Sequence, residues 1–522
     1  MLPGLYALFG LLTISPLFWV RVPALVDYPN HLARMWILAQ HGQFPALSAN
    51  YLVAWRILPD LAMDLIVPPL TRIISIETAG RVFVALTMLA LIAGTATLHR
   101  VLNGRWALWP LWSALFVYNA VLFWGFLNCL FGVGACLFAL AGWIATHEWR
   151  MAPRILVFAG VASLLLLLHL FAFGLYGLSV ALYEIGERIR TRRLSLPSFL
   201  SLIAAGLQFL PGMALWYVSL EHSGSTVTTY GSLADKLYAL ISPFAFGYLP
   251  VPFDGAVGLL AVAFLGLALP SRSLRVAAQF RIPLAGLALA ALVMPNVLSG
   301  SWGADMRLPV ALPFLLIAAS RFTAPQPRAA VIFAAFALAV LGLRVWSVTQ
   351  SWRDYDGRFA EFRSAARVIA PGSRLMIVER LASGRIMPLV GVPAGFAVLQ
   401  RVAFIHMAAL SVIDRSAFVP YLFTGWTTIA VAPGNRRIAQ RVGLPATPGE
   451  LRKSADPETS EKLDTGPDIY GERPYWRDWP KRFDYVLWID FGSPPTRVPR
   501  QLRLSARGSF FDIYRVERPA LR

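Results

Sequence analysis

Asp27, His31 and Arg34 fall within the stretch VDYPNHLARMWIL, residues 26–38. Spacings of four and seven put an acid, an imidazole and a guanidinium on one face of a helix. A carboxylate beside an imidazole suits proton transfer, and a guanidinium suits the holding of a phosphate or carboxylate. Further polar residues interrupt apolar runs downstream. His169 sits in LLLLLHLFAF, Asn119 and Asn128 flank the hairpin YNAVLFWGFLNCLFG, and Asp305 and Arg307 lie in SGSWGADMRLP. Ionisable groups at membrane depth are costly and usually mark a substrate path or a reacting site.

Each of these residues also has a purely structural reading. Asp27 would open a helix ahead of Pro29, although the proline favours Tyr28 as the cap and leaves Asp27 just outside it. His31 would be an interfacial packing residue and His169 a hydrogen-bonded core histidine. Arg34 and Arg307 would reach lipid phosphates by snorkelling, and Asn128 would bridge helices. Asp27 with His31 offers a divalent cation only two ligands, a poor site. No metal or other cofactor is expected, a divalent ion being the alternative. Cys129 and Cys136 share a helix face but stand too far apart to bond, and carry no redox or metal message.

The elements that position these residues follow from composition. The chain has 522 residues, 57% hydrophobic and only 14% charged, with a mean hydropathy of +0.59. Ordinary soluble domains carry roughly 25% charged residues. Apolar runs recur from residue 5 to residue 350, each long enough for a hydrocarbon core of about 30 Å. Spans are expected at 3–21, 79–98, 106–123, 126–146, 154–170, 171–186, 197–218, 255–270, 282–300, 308–321 and 328–350, the long run 153–186 being split near His169. The first run has neither a basic flank nor a small-residue cleavage site, so it reads as a retained helix.

Alternate loops hold the arginines, among them Arg100, Arg150, Arg188, Arg275 and Arg321, while Asp27, Asp60, Asp64, Asp235 and Asp305 fall on the other side. Short basic loops stay cytoplasmic. The net charge of +19 therefore reads as orientation, and no nucleic-acid partner is expected. The N-terminus is expected inside, in an inner membrane crossed many times, with the C-terminal part outside.

Residues 1–350 are thus expected to form a transmembrane domain with two long external loops. The first, 22–78, reads as amphipathic helices lying on the membrane, with Trp36, Trp55, Leu58, Leu61 and Leu65 toward lipid and Asp60 and Asp64 toward water. The second, 219–254, is rich in Ser, Thr and Gly and reads as a lid or partly ordered loop. Residues 351–522 contain no spanning run. RLMIVE, TTIAVA and DYVLWID read as short buried strands there, followed by a strand pair ending in SFFDIYRVE. The expected fold is a mainly α-helical polytopic membrane protein of about 11 transmembrane helices, with a small external α/β domain.

An external loop that begins with Asp soon after the first span, followed by many spans and an external C-terminal domain, resembles the GT-C superfamily. These are integral-membrane glycosyltransferases that use polyprenyl-phosphate-linked sugars. VDYPNHLAR, DLAMDLIVPPL, WGFLNCLFGVG and GADMRLP are similar to segments of bacterial members of that superfamily. Its protein-mannosyltransferase and lipid A aminoarabinose-transferase branches usually carry an acidic pair in this loop, whereas here Asp27 is followed by Tyr28, Pro29 and Asn30.

The resemblance implies transfer of a sugar from a polyprenyl-phosphate donor to an extracytoplasmic acceptor, whether glycan, lipid or protein. Asp27 would be the general base, with His31 orienting it or touching phosphate. Arg34, His169 and Arg307 would hold the donor phosphate, supported by Asn128 and Asp305. Other readings are a lipid or polysaccharide transporter or flippase, an acyltransferase or polymer ligase, and a non-catalytic assembly protein. A transporter would place charges or Gly/Pro breaks near the bilayer midplane, and here they cluster at the outer edge.

Overall fold

The computed structural model describes residues 2–192, 195–220, 227–244, 273–323, 327–380, 403–424, 427–440, 445–455, 474–490 and 498–518, with single positions between 258 and 266. The chain divides into two compact units. The first comprises Met1–Val20, Ile57–Leu65 and Arg81–Trp352; the second comprises Arg21–Arg56, Ile66–Gly80 and Arg353–Arg522.

Helices dominate the first unit. Across the described residues, five helical stretches are long and apolar enough to cross a membrane: Ile76–Asn103, Leu127–Ala145, Met151–Leu168, Leu196–Ser219 and Ala334–Val368. Leu2–Phe18 and Ala278–Val293 are apolar but shorter. The break in the run 153–186 falls at His169 itself, between the helices Met151–Leu168 and Leu170–Thr191. His169 is extended there (φ −171°, ψ 132°) and its imidazole Nδ1 accepts the amide of Phe171, capping the second helix.

The expected span 106–123 is not one helix. Residues Trp109–Phe116 wind as a 3-10 helix opened by Pro110, and a separate five-residue helix, Ala120–Trp124, follows. Asn119 separates them because its side chain accepts from the Leu122 amide, the N-cap arrangement that starts a new helix. The expected span 255–270 lies largely outside the described residues, as do residues 221–226 and 245–254 of the second long loop. The described part of that loop is regular. Thr229 bridges to Val297, and Leu233–Ile241 is a helix with a capping box between Ser232 and Asp235.

The second unit holds a four-stranded sheet. Leu375–Glu379 runs parallel to Tyr485–Ile489, which pairs antiparallel with Phe511–Val516 and so leads to Leu502–Arg507. Both strands of the parallel pair are buried throughout, as expected of apolar runs covered on both faces.

Residues 21–56 and 66–80 cluster with this unit, whereas the sequence groups them with the apolar run of residues 1–350. The physical reason is local. Tyr51–Val53 pairs with Ile429–Val431, and two buried asparagines bond to C-terminal backbone. Asn50 donates to the carbonyls of Gly372 and Ser416, and Asn30 accepts the amide of Phe423. The helix Tyr28–Gln40 therefore buries Tyr28, Leu32, Ala33, Met35 and Ile37 in protein, where the sequence reading laid it on lipid. Gly80 admits this packing, since a Cβ there would strike Tyr28 and Leu32. Asp64, expected to face water, is buried in the first unit.

Candidate functional site

In the second unit, Asp27 occupies the N-cap position of the helix Tyr28–Gln40 but makes no capping bond. Its carboxylate turns instead to a histidine that the sequence reading did not select: Oδ1 lies 3.4 Å from Nε2 of His406. The side chains of Asp27 and His406 are only 15% and 9% exposed, so their attraction is less screened than a surface pair's.

His31, expected to orient Asp27, has other neighbours. Its Nδ1 lies 3.4 Å from Nη1 of Arg34, and its ring meets Phe423 edge-on at 5.4 Å. Desolvation, then the charge of Arg34 and the nearness of His406, hold the His31 imidazole well below its ordinary pKa. It is therefore neutral at pH 7. Arg34 is buried in the same cluster.

In the first unit a second cluster gathers three of the expected residues. Asn128 grips the start of the helix Ala62–Leu70: its amide donates to the Asp60 carbonyl at 2.9 Å and accepts the Met63 amide at 2.9 Å. Leu61 donates to the Leu167 carbonyl beside it. These bonds hold Asp60 at φ +82°, a left-handed conformation uncommon outside glycine. Its carboxylate lies 3.7 Å from Nε2 of His169. Because Nδ1 of His169 accepts from Phe171, the neutral ring carries its proton on Nε2.

Arg307 stands near His169 in the same unit. The residues that place it are legible in SGSWGADMRLP. Val297–Leu298 and Ser301–Trp302 form a hairpin across Ser299 and Gly300, both at positive φ (50° and 76°), the pattern of a two-residue primed turn. Gly303 then caps the helix Ala304–Ala319 at φ +68°, and a Cβ there would collide with Met306 and Phe126. Arg307 donates from Nη2 to Ser301 Oγ at 2.7 Å and lies 5.6 Å from the centre of the Phe126 ring. Its Nε is buried without a hydrogen-bond acceptor among the described residues.

Asp305, two positions earlier, points elsewhere. It accepts from Asn296 at 3.2 Å and pairs with Lys236 at 3.6 Å, and it is buried. It therefore fastens the helix Leu233–Ile241 and does not form an Asp–Arg pair with Arg307. Along the same helix, Pro309, Leu312, Pro313 and Leu316 line a cavity of about 430 Å³ walled by apolar side chains, Trp109 and Phe244 among them. Among the described residues no group of three or more His, Cys, Asp or Glu side chains stands close enough to hold a metal ion.

Three residues that matter to these clusters were not selected from the sequence. His406 is a single histidine in the apolar run VAFIHMAAL, and its partners Asp27 and Asn30 are more than 370 residues away. Asp60 reads from sequence only as an acid facing water, and nothing around Lys236 singles it out. Asn30 stands beside Asp27 in VDYPNHLAR, and nothing in that stretch marks it as a link to His406.

No family model and no curated protein matches the chain. Among solved structures, the chain is similar to the crystal structure of ArnT from Cupriavidus metallidurans bound to undecaprenyl phosphate, at 11% identity and a TM-score of 0.47 over 98% of each chain.

Proposed function

We propose that the protein is a membrane glycosyltransferase of the GT-C type, moving a sugar from a polyprenyl-phosphate donor to an extracytoplasmic acceptor. The observation that carries this reading lies on one helix. Arg307, in the first turn of Ala304–Ala319, has a buried Nε with no acceptor among the described residues, and the turns that follow line a cavity walled by apolar side chains. A cation followed by hydrocarbon-lined space suits a phosphate that ends in an isoprenoid chain.

The chemistry requires a base and an anion-holding group. Asp27 accepts the proton of an acceptor hydroxyl as its oxygen bonds to the anomeric carbon. The bond from that carbon to the phosphate oxygen breaks, and its electron pair stays on the lipid phosphate. Arg307 and the Nε2–H of His169 meet the growing charge. Arg34 is the further candidate phosphate ligand, while Asn128 supports His169 and Asp60. No metal or other cofactor is invoked.

The direct test is a deletion strain whose envelope lipids are profiled. Accumulation of one polyprenyl-phosphate sugar, reversed by the wild-type gene, is expected. An unchanged lipid-linked pool would remove the transferase reading.

Orientation is part of the proposal: N-terminus cytoplasmic, first loop and C-terminal unit periplasmic. Reporter fusions after Arg193 and Arg275 should read cytoplasmic, and fusions after Asp235, Asp305 and Arg353 external. A cytoplasmic reading at Arg353 would put the C-terminal unit on the side away from an extracytoplasmic acceptor.

A further inference from the structure

We propose that His406 and Asn30 are positioning residues that hold the Asp27 carboxylate in the orientation its chemistry needs; the inference rests on the reading of Asp27 as the base.

The hydrogen bonds fix the direction of every member of the chain. The Phe423 amide can only donate, and it donates to Asn30 Oδ1 at 2.9 Å. The Asn30 amide is thereby set with its NH2 on the other side, where it donates to the Tyr421 carbonyl and faces Nδ1 of His406, each at 3.1 Å. An NH2 group has no lone pair to offer, so Nδ1 of His406 must accept. The ring's N–H is then on Nε2, the atom 3.4 Å from Asp27 Oδ1. Read in order, the chain runs from the backbone through Asn30 and His406 to one oxygen of Asp27.

The ring is also clamped sideways. Phe423 and Tyr421 meet it edge-on, with centroids at 5.0 and 5.8 Å, and the Tyr421 hydroxyl is itself tied to the Ile405 carbonyl at 2.9 Å. Nδ1 of His406 accepts from Asn30 and Nε2 faces Asp27 Oδ1 at 3.4 Å, so the ring has no lone pair left to take a substrate proton. Asp27 has one oxygen facing His406 and no other side-chain hydrogen bond among the described residues. The second oxygen is the one available to an acceptor hydroxyl. His406 acts on the reaction only through Asp27.

The test uses the full-length protein in membranes, with transfer from polyprenyl-phosphate sugars extracted from the deletion strain as the readout. His406→Phe should lower turnover roughly ten- to a hundredfold with KM little changed, the effect of losing the polar group that faces the Asp27 carboxylate. His406→Gln should stay within about threefold of wild type, because a Gln amide can donate to Asp27 while its oxygen accepts from Asn30. The double variant Asp27→Asn with His406→Phe should be no slower than Asp27→Asn alone, since residues acting as a unit are not additive.

A structural role would instead leave turnover per folded molecule unchanged in His406→Phe, or add its loss to that of Asp27→Asn; either result overturns the proposal. If His406→Phe does not fold, His406→Gln decides: turnover as low as that of Asp27→Asn overturns it, and near-wild-type turnover supports it. Normal transfer by Asp27→Asn would remove the base itself. An inactive Asp27→Asn beside a fully active His406→Phe would remove only the role of His406.

Discussion

Asp27→Asn is expected to lower turnover by roughly two to four orders of magnitude, the usual contribution of a positioned acid–base group, while donor affinity changes little. The structure makes this substitution clean. Asn has the shape of Asp, and its Oδ1 can still accept from the Nε2–H of His406, 3.4 Å away. The helix Tyr28–Gln40 loses no cap, because Asp27 makes none with its side chain. What changes is the second oxygen, which becomes an NH2 that cannot take a proton at neutral pH. The readout is single-turnover transfer from the lipid-linked donor, with donor binding measured in parallel. An anchoring role for Asp27 predicts near-wild-type transfer, and that result would leave the carboxylate a fastening for His406 and nothing more.

How far these positions could be read from sequence follows from the range of the forces that set them. The break at His169 was legible because a hydrophobic run of that length cannot cross a membrane once. The strands LMIVE and YVLWI were legible because a strand buried on both faces must be apolar throughout. The turn before Arg307 carries its own chemistry in Ser299, Gly300 and Gly303.

The packing of residues 21–56 was not legible. An amphipathic helix shows which side is apolar but not whether lipid or protein covers it. Buried amides decided the matter here, and an asparagine that meets backbone carbonyls more than 300 residues away has no periodicity to betray it. His406 was hidden for the same reason. Its partners Asp27 and Asn30 lie at the other end of the chain, and nothing in VAFIHMAAL separates it from a core histidine. Asp305 sits two residues from Arg307, and residues two apart on a helix do not face each other, so its partners Asn296 and Lys236 are not legible from that neighbourhood.

Arg307→Ala is expected to weaken donor binding roughly ten- to a hundredfold, the range of a lost hydrogen bond to a charged group. Turnover should fall by a further factor of about 10² to 10³, because charge grows on the leaving phosphate in the transition state. The two losses together distinguish Arg307 from Asp27, which acts only once the proton moves. The fork is already half anchored: Nη2 is held by Ser301 at 2.7 Å, and the guanidinium lies 5.6 Å from the Phe126 ring centre. Its buried Nε has no acceptor among the described residues, so a phosphate oxygen arriving there would supply one. Arg307→Lys separates charge from geometry. An ammonium keeps the positive charge but cannot reproduce the planar fork, so it should recover part of the affinity and little of the turnover. Removing the Ser301 contact alone, in Ser301→Ala, should cost less than either, since it loosens the guanidinium without deleting it. The measurement is the dissociation constant of a polyprenyl phosphate beside single-turnover rates for the three variants. An affinity for Arg307→Ala within twofold of wild type would show that the phosphate is held elsewhere, and the apolar cavity along the same helix would then lose its claim on the lipid tail.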